Sequence, residues 1–135
     1  MTAPALLNPG SLPQTEAIGY SQIAVSHTGR LAFVSGQVAT RSDNQAIPED
    51  LVGQVDIVIQ NLSHALAALA ATPHDIIQLR IYIVGLTPAR VELTMGRLCG
   101  FLDGAKPSLT GIGVSSLASP DFAIEIEMVV QLPPA

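Results

Sequence analysis

Near its C-terminus the chain reads Ile124-Glu125-Ile126-Glu127-Met128. Strict alternation puts Glu125 and Glu127 on one face of a strand and the apolar residues on the other. A carboxylate on a strand this apolar can move a proton during hydrolysis, or it can balance a cation. Glu125 is the candidate catalytic acid/base group, and an ion pair across an interface is its competing role. Glu127 is assigned a structural role. Arg80 sits in a second alternating run, Ile77-Gln78-Leu79-Arg80-Ile81-Tyr82. It is expected on the same sheet face as Glu125, either as a substrate-binding cation or as the partner of one of the two glutamates. Tyr20 offers a phenol that can stack on a flat molecule or donate a hydrogen bond. Gly36 ends an apolar run, where it marks a bulge or lets backbone approach a ligand. Between these lies Lys106-Pro107-Ser108-Leu109-Thr110-Gly111. Its Leu109, Gly111 and Gly113 are expected on the face that matches the glutamates. They would make that face small and apolar, either as a widened pocket or as a site that no longer works.

The elements that must carry these residues follow from periodicity. Residues 1–16 are rich in Pro, Asn, Gly and Ser and read as an extended arm, leaving 17–135 as a single domain. Residues 19–26 and 31–34 read as two strands joined in a hairpin through the turn His27-Thr28-Gly29-Arg30. Pro48 suits a first helical position. Leu51, Val55, Val58, Ile59, Leu62, Leu66 and Leu69 then repeat at helical spacing, in a helix that runs to about Ala71 and stops before Pro73. Residues 76–84 read as a half-buried strand. Pro88 opens a second helix to about residue 102, and residues 109–115 and 122–132 close the chain as strands. The order β-β-α-β-α-β-β predicts an α+β domain with two helices on one face of a mixed sheet. The other face, carrying Gln78, Arg80, Tyr82, Glu125 and Glu127, suits a symmetric assembly with polar clefts between subunits.

Composition narrows the function classes. Among 135 residues only six are Lys or Arg, and the net charge is -5, so no basic stripe exists for nucleic acid. Hydrophobic residues make up 48% and charged ones 13%, which implies apolar surface hidden in an oligomer. One cysteine, Cys99, excludes an intramolecular disulfide and a multi-cysteine zinc site and fits a reducing cytoplasm. His27, His64 and His74 have no metal-ligand spacing. No apolar run is long enough to cross a membrane, and the first ten residues lack the basic start of a signal peptide.

Several short motifs, in this order, resemble the Rid family, the YjgF-like imine and enamine deaminases. They are Ile18-Gly19-Tyr20-Ser21-Gln22, Phe33-Val34-Ser35-Gly36-Gln37, Gln54 with Val58, Asn61 and Leu62, Asp75-Ile76-Ile77, and Ile124-Glu125-Ile126-Glu127. The resemblance implies a chorismate-mutase-like fold, a homotrimer and small-molecule sites at its subunit interfaces. It also implies hydrolysis of imines or enamines to carbonyl compounds and ammonia without a cofactor. Glu125 would orient or activate the attacking water, and Tyr20 would stand at the cleft mouth. Family members that deaminate carry an Arg two residues after the Pro before the fifth strand, where it grips the substrate carboxylate. Here that position is Leu109, followed by Thr110 and Gly111, and the second helix lacks the Asn of many members. The resemblance therefore implies an altered, less acidic and more apolar substrate, with Arg80 as a possible replacement cation. A trimeric module that binds a metabolite without turnover is the alternative.

Overall fold

The computed structural model describes residues 3–135, so the first two residues of the expected arm lie outside it. Its elements are β1 (Ala5–Leu7), β2 (Ile23–Val25), β3 (Arg30–Gln37), α1 (Leu51–Ala68), β4 (Ile76–Val84), α2 (Pro88–Leu102), β5 (Ser108–Val114) and β6 (Ile124–Leu132). The main sheet has the order β3-β6-β4-β5. β4 and β5 are parallel, joined by α2 as a parallel pair requires, and the other two pairings are antiparallel. No helix among the described residues is long and apolar enough to cross a membrane.

Both helices pack on one face of this sheet. α1 contributes Val55, Val58, Leu62 and Leu66, α2 contributes Leu98 and Leu102, and the sheet answers with Leu79, Ile81, Ile124, Ile126, Met128 and Val130. Each such side chain taken fully out of water contributes about 1.5–3 kcal/mol before chain entropy is set against it. α1 starts at Leu51 rather than at Pro48. Asp50 is extended, and its carboxylate accepts from the Gly53 amide at 3.2 Å, which caps the helix. α2 starts as the sequence suggests, with Pro88 in its first turn and the Thr87 hydroxyl accepting from the Arg90 amide at 3.2 Å.

The expected hairpin between the first two strands is absent. β2 pairs with β1, Ala5 opposite Val25 and Leu7 opposite Ile23, while β3 pairs with β6. Two side chains explain the exchange. Asn8 accepts from the Gln22 amide at 2.9 Å and donates to the Ser21 hydroxyl at 3.3 Å, which ties the arm to β2. Buried Gln131 accepts from the His27 amide at 2.9 Å and donates to the Leu132 carbonyl at 3.1 Å. The turn is thereby fastened to the end of β6 instead of closing a ladder between β2 and β3.

The second face of the sheet is uncovered in one chain. Phe33 is 76% exposed, with Leu31 half-exposed beside it. The charged residues of β4 and β6 continue the same face.

Gln54, 1% exposed, ties α1 to the chain before it and to the turn before β6. Its Nε2 donates to the Pro48 carbonyl at 2.9 Å and to the Asp121 carbonyl at 2.8 Å, and its Oε1 accepts from the Ala123 amide at 2.8 Å. Gln54→Leu leaves these backbone groups without partners and is expected to lower stability by about 2–4 kcal/mol. Denaturant titration at fixed protein concentration measures it. A loss below about 0.5 kcal/mol would mean that the freed groups find other partners.

Candidate functional site

The register of β4 with its two neighbours decides which side chains can meet. Arg80 lies opposite Glu127 and Tyr82 opposite Glu125. On the other side Arg80 lies opposite Thr110, Leu79 opposite Leu109, and Ile81 opposite Gly111. Residues paired in this way share a face. Arg80, Tyr82, Thr110, Glu125 and Glu127 therefore stand on the open face. Leu109, Gly111 and Gly113 stand on the helix face, with Leu79, Ile81 and Ile83. This corrects the expectation that Leu109, Gly111 and Gly113 match the glutamates. It also separates Thr110 from Leu109 and Gly111, because adjacent strand residues point to opposite sides.

On the open face the two glutamates have different surroundings. Glu127 accepts a hydrogen bond from the Tyr82 hydroxyl and lies 3.7 Å from Arg80 Nη1. Half the Arg80 side chain is exposed, so this ion pair contributes little to stability. Arg80 is thus the partner of Glu127 and not of Glu125. The Glu125 carboxylate has no hydrogen-bond or ion-pair partner among the described residues. Its side chain lies over Gly36, inside the irregular pairing between Val34 and Gln37. A Cβ at Gly36 would stand 2.5 Å from Glu125 Cδ and 2.7 Å from its Cγ. Gly36 therefore both belongs to a bulge and leaves the space that Glu125 occupies.

On the helix side, beyond the β5 edge, lies a cavity of about 460 Å³. Its floor is Ile81 and Ile83 of β4, and Leu109 and Gly111 of β5 form one wall. Val91, Thr94 and Met95 of α2 form the opposite wall, and Ile18 and Tyr20 complete the lining. Tyr20 reaches this place because the next residue, Ser21, donates its amide to the Pro107 carbonyl at 3.0 Å, just before β5 begins. Nothing lies within 4 Å of a Cβ built on Gly111, so the missing side chain is open cavity. Among the described residues, Tyr20 and Thr94 are the polar side chains of the lining, and no charged one takes part. Thr94 is 1% exposed, and its hydroxyl has no partner among the described residues. Its signal in the sequence is a polar residue in the buried stripe Thr94, Leu98, Leu102 of α2. The α2 wall had no other mark, because its residues look like ordinary helix packing. Among the described residues no group of three His, Cys, Asp or Glu is placed to hold a metal ion.

The Tyr82 phenol is held above its ordinary pKa of 10.0, first by the hydrogen bond to Glu127, then by burial and by the charge of that carboxylate. The folded chain keeps this proton more tightly than the unfolded chain does. The contact therefore stabilises fully below about pH 10, and its contribution is lost as pH rises through the elevated folded value. In an ultraviolet titration, the phenolate signal removed by Tyr82→Phe should appear above pH 10. A midpoint at or below 10 would contradict the bond to Glu127.

Residues 13–132 match the family described as Endoribonuclease L-PSP. The chain is 33% identical over 110 residues to the RutC family protein YjgH of Escherichia coli K12, covering 82% of each. It is 31% identical over 105 residues to Protein DfrA of Myxococcus xanthus, covering 76% of this chain and 78% of that one. A crystal structure of YyfB from Yersinia pestis, a protein of unknown function in the conserved Rid family, matches with a TM-score of 0.90 at 32% identity. That match covers 96% of this chain and 99% of the other. A family match across nearly the whole domain, together with this shared α+β fold, means that the chain belongs to the YjgF/Rid family.

Proposed function

We propose that this chain is a Rid-type hydrolase of an uncharged, largely apolar imine or enamine, working as a homotrimer with its sites at the subunit interfaces. The observation that carries the reading is the Glu125 carboxylate, which has no partner among the described residues while Glu127 is engaged by Tyr82 and Arg80. Within one chain Glu125 and the cavity lie on opposite faces of the sheet. In the assembly, Glu125 of the partner subunit would stand over the mouth of the cavity. Water then adds to the C=N carbon as this carboxylate takes its proton, and the nitrogen is protonated. The resulting carbinolamine collapses, the C–N bond breaks, and a carbonyl compound and ammonia leave. The uncharged lining supports the altered substrate preference. Leu109 supplies no cation, and Arg80, held by Glu127 on the other face, does not replace one within its own chain. The same lack of Lys and Arg disfavours a phosphate-bearing substrate.

A trimeric module that binds a small metabolite without turnover is the second reading. The separation of Glu125 from the cavity within one chain favours it, since binding needs only the cavity.

Imines made in place by a flavin amine oxidase lack a carboxylate, whereas those made by an amino-acid oxidase carry one. The protein is expected to speed decay of the first kind and to act far more weakly on the second. Loss of a buried cation contact to a carboxylate costs about 2–5 kcal/mol, or roughly 30- to several-thousand-fold. Glu125→Gln should keep the fold and lower turnover by about 10²–10⁴-fold. A lowered melting temperature with turnover retained would instead assign Glu125 to structure.

A further inference from the structure

We propose that the Thr94 hydroxyl sets the specificity of the cavity, by hydrogen-bonding an uncharged carbonyl oxygen or imine nitrogen on an otherwise apolar ligand. The inference rests on reading this cavity as the substrate site and does not require turnover. Three observations carry it. Thr94 forms part of the α2 wall at 1% exposure, and its hydroxyl has no partner among the described residues. An unpartnered buried hydroxyl is unfavourable, so such a group in a native wall calls for an explanation. The rest of the lining is apolar apart from Tyr20.

Water there finds few anchors, because the lining side chains offer only the hydroxyls of Thr94 and Tyr20. Threonine on a helix has two accessible rotamers. The Thr94 oxygen is itself buried, so a turn about the Cα–Cβ bond is what would bring it to the cavity, and Met95 beside it is flexible enough to give way. The ligand must be uncharged, because a carboxylate or ammonium group would lose its hydration with no opposite charge in the lining to compensate. Its bulk must be apolar to match Ile81, Ile83, Leu109 and Val91.

Three probes of nearly equal shape separate these requirements. Acetophenone carries the carbonyl, α-methylstyrene replaces it with a carbon–carbon double bond, and phenylglyoxylate keeps it but has a carboxylate in place of the methyl group. Binding to the full chain, measured by calorimetry or ligand-observed NMR, is expected to favour acetophenone over both others. Thr94→Val, close in shape, should narrow the preference for acetophenone over α-methylstyrene by about 2- to 10-fold. Thr94→Ser should retain it. The melting temperature of Thr94→Val should not fall, because no hydrogen bond is removed. The inference is overturned if phenylglyoxylate binds best, if Thr94→Val leaves the ratio unchanged, or if no probe binds at millimolar concentration. If the ratio responds but no imine is hydrolysed, the specificity assignment stands and the hydrolase reading falls. If imines are hydrolysed and the ratio does not respond, this inference falls alone.

Discussion

The division of the candidate site residues between the two faces of the sheet depends on the pleat of β4. A strand sends successive side chains to opposite faces, and β4 is paired on both sides, so its register imposes that division on β5 and β6. Arg80 and Tyr82 go to the open face with Thr110, Glu125 and Glu127. Leu79, Ile81 and Ile83 go to the helix face with Leu109 and Gly111. A slip of one residue would move the apolar set into water and the charged set against Leu62 and Leu98. Burial of those side chains holds the register with far more energy than the surface contact between Arg80 and Glu127 could.

The same division gives the two faces different physics. On the helix face, a strand edge carrying Gly111 and a helix wall carrying Thr94 leave a largely apolar cavity with few polar anchors. On the open face, an ion pair and a phenol engage one glutamate and leave the other without a partner among the described residues. Exposed Phe33 and Leu31 lie on that face too, and no segment of the described chain covers them. Neither half is a complete hydrolytic site. The cavity has no charged group, and Glu125 has no cavity on its own side. A symmetric assembly that sets the open face of one subunit against the edge of the next would complete the site and also cover the apolar surface.

Much of the fold was legible in the sequence, for physical reasons. The apolar stripe of α1 and the alternation of β4 and β6 are signals that only one secondary structure satisfies. The start of α1 was misplaced because Pro48 and Asp50 both suit a helix N-terminus, and only cap geometry separates them. The hairpin failed because strand pairing depends on side chains distant in sequence, here Asn8 and Gln131, which alternation does not reveal. Of the candidate site, the shared face of Arg80 and Glu125 could be read from each strand alone. Which of the two glutamates Arg80 meets could not, since that depends on the β4–β6 register. The direction of Leu109 was lost for a similar reason: the phase of one strand relative to another is a tertiary property. Thr94 was visible as a polar break in an apolar stripe, yet only the cavity beside it gives that break a meaning.

The central claim is that two subunits share each site, one supplying the cavity and the other Glu125. Subunit complementation tests it most directly. One variant, Glu125→Gln, keeps the cavity and lacks the carboxylate. The other, Gly111→Phe, keeps the carboxylate and fills the cavity, where an added side chain meets open space. Each alone should be nearly inactive on an uncharged imine that the unmodified protein hydrolyses. Unfolded together and reassembled at random in equal amounts, they should pair an intact cavity with an intact Glu125 at about a quarter of the subunit junctions, with activity recovered in that proportion. A mixture no more active than its parents would contradict a shared site.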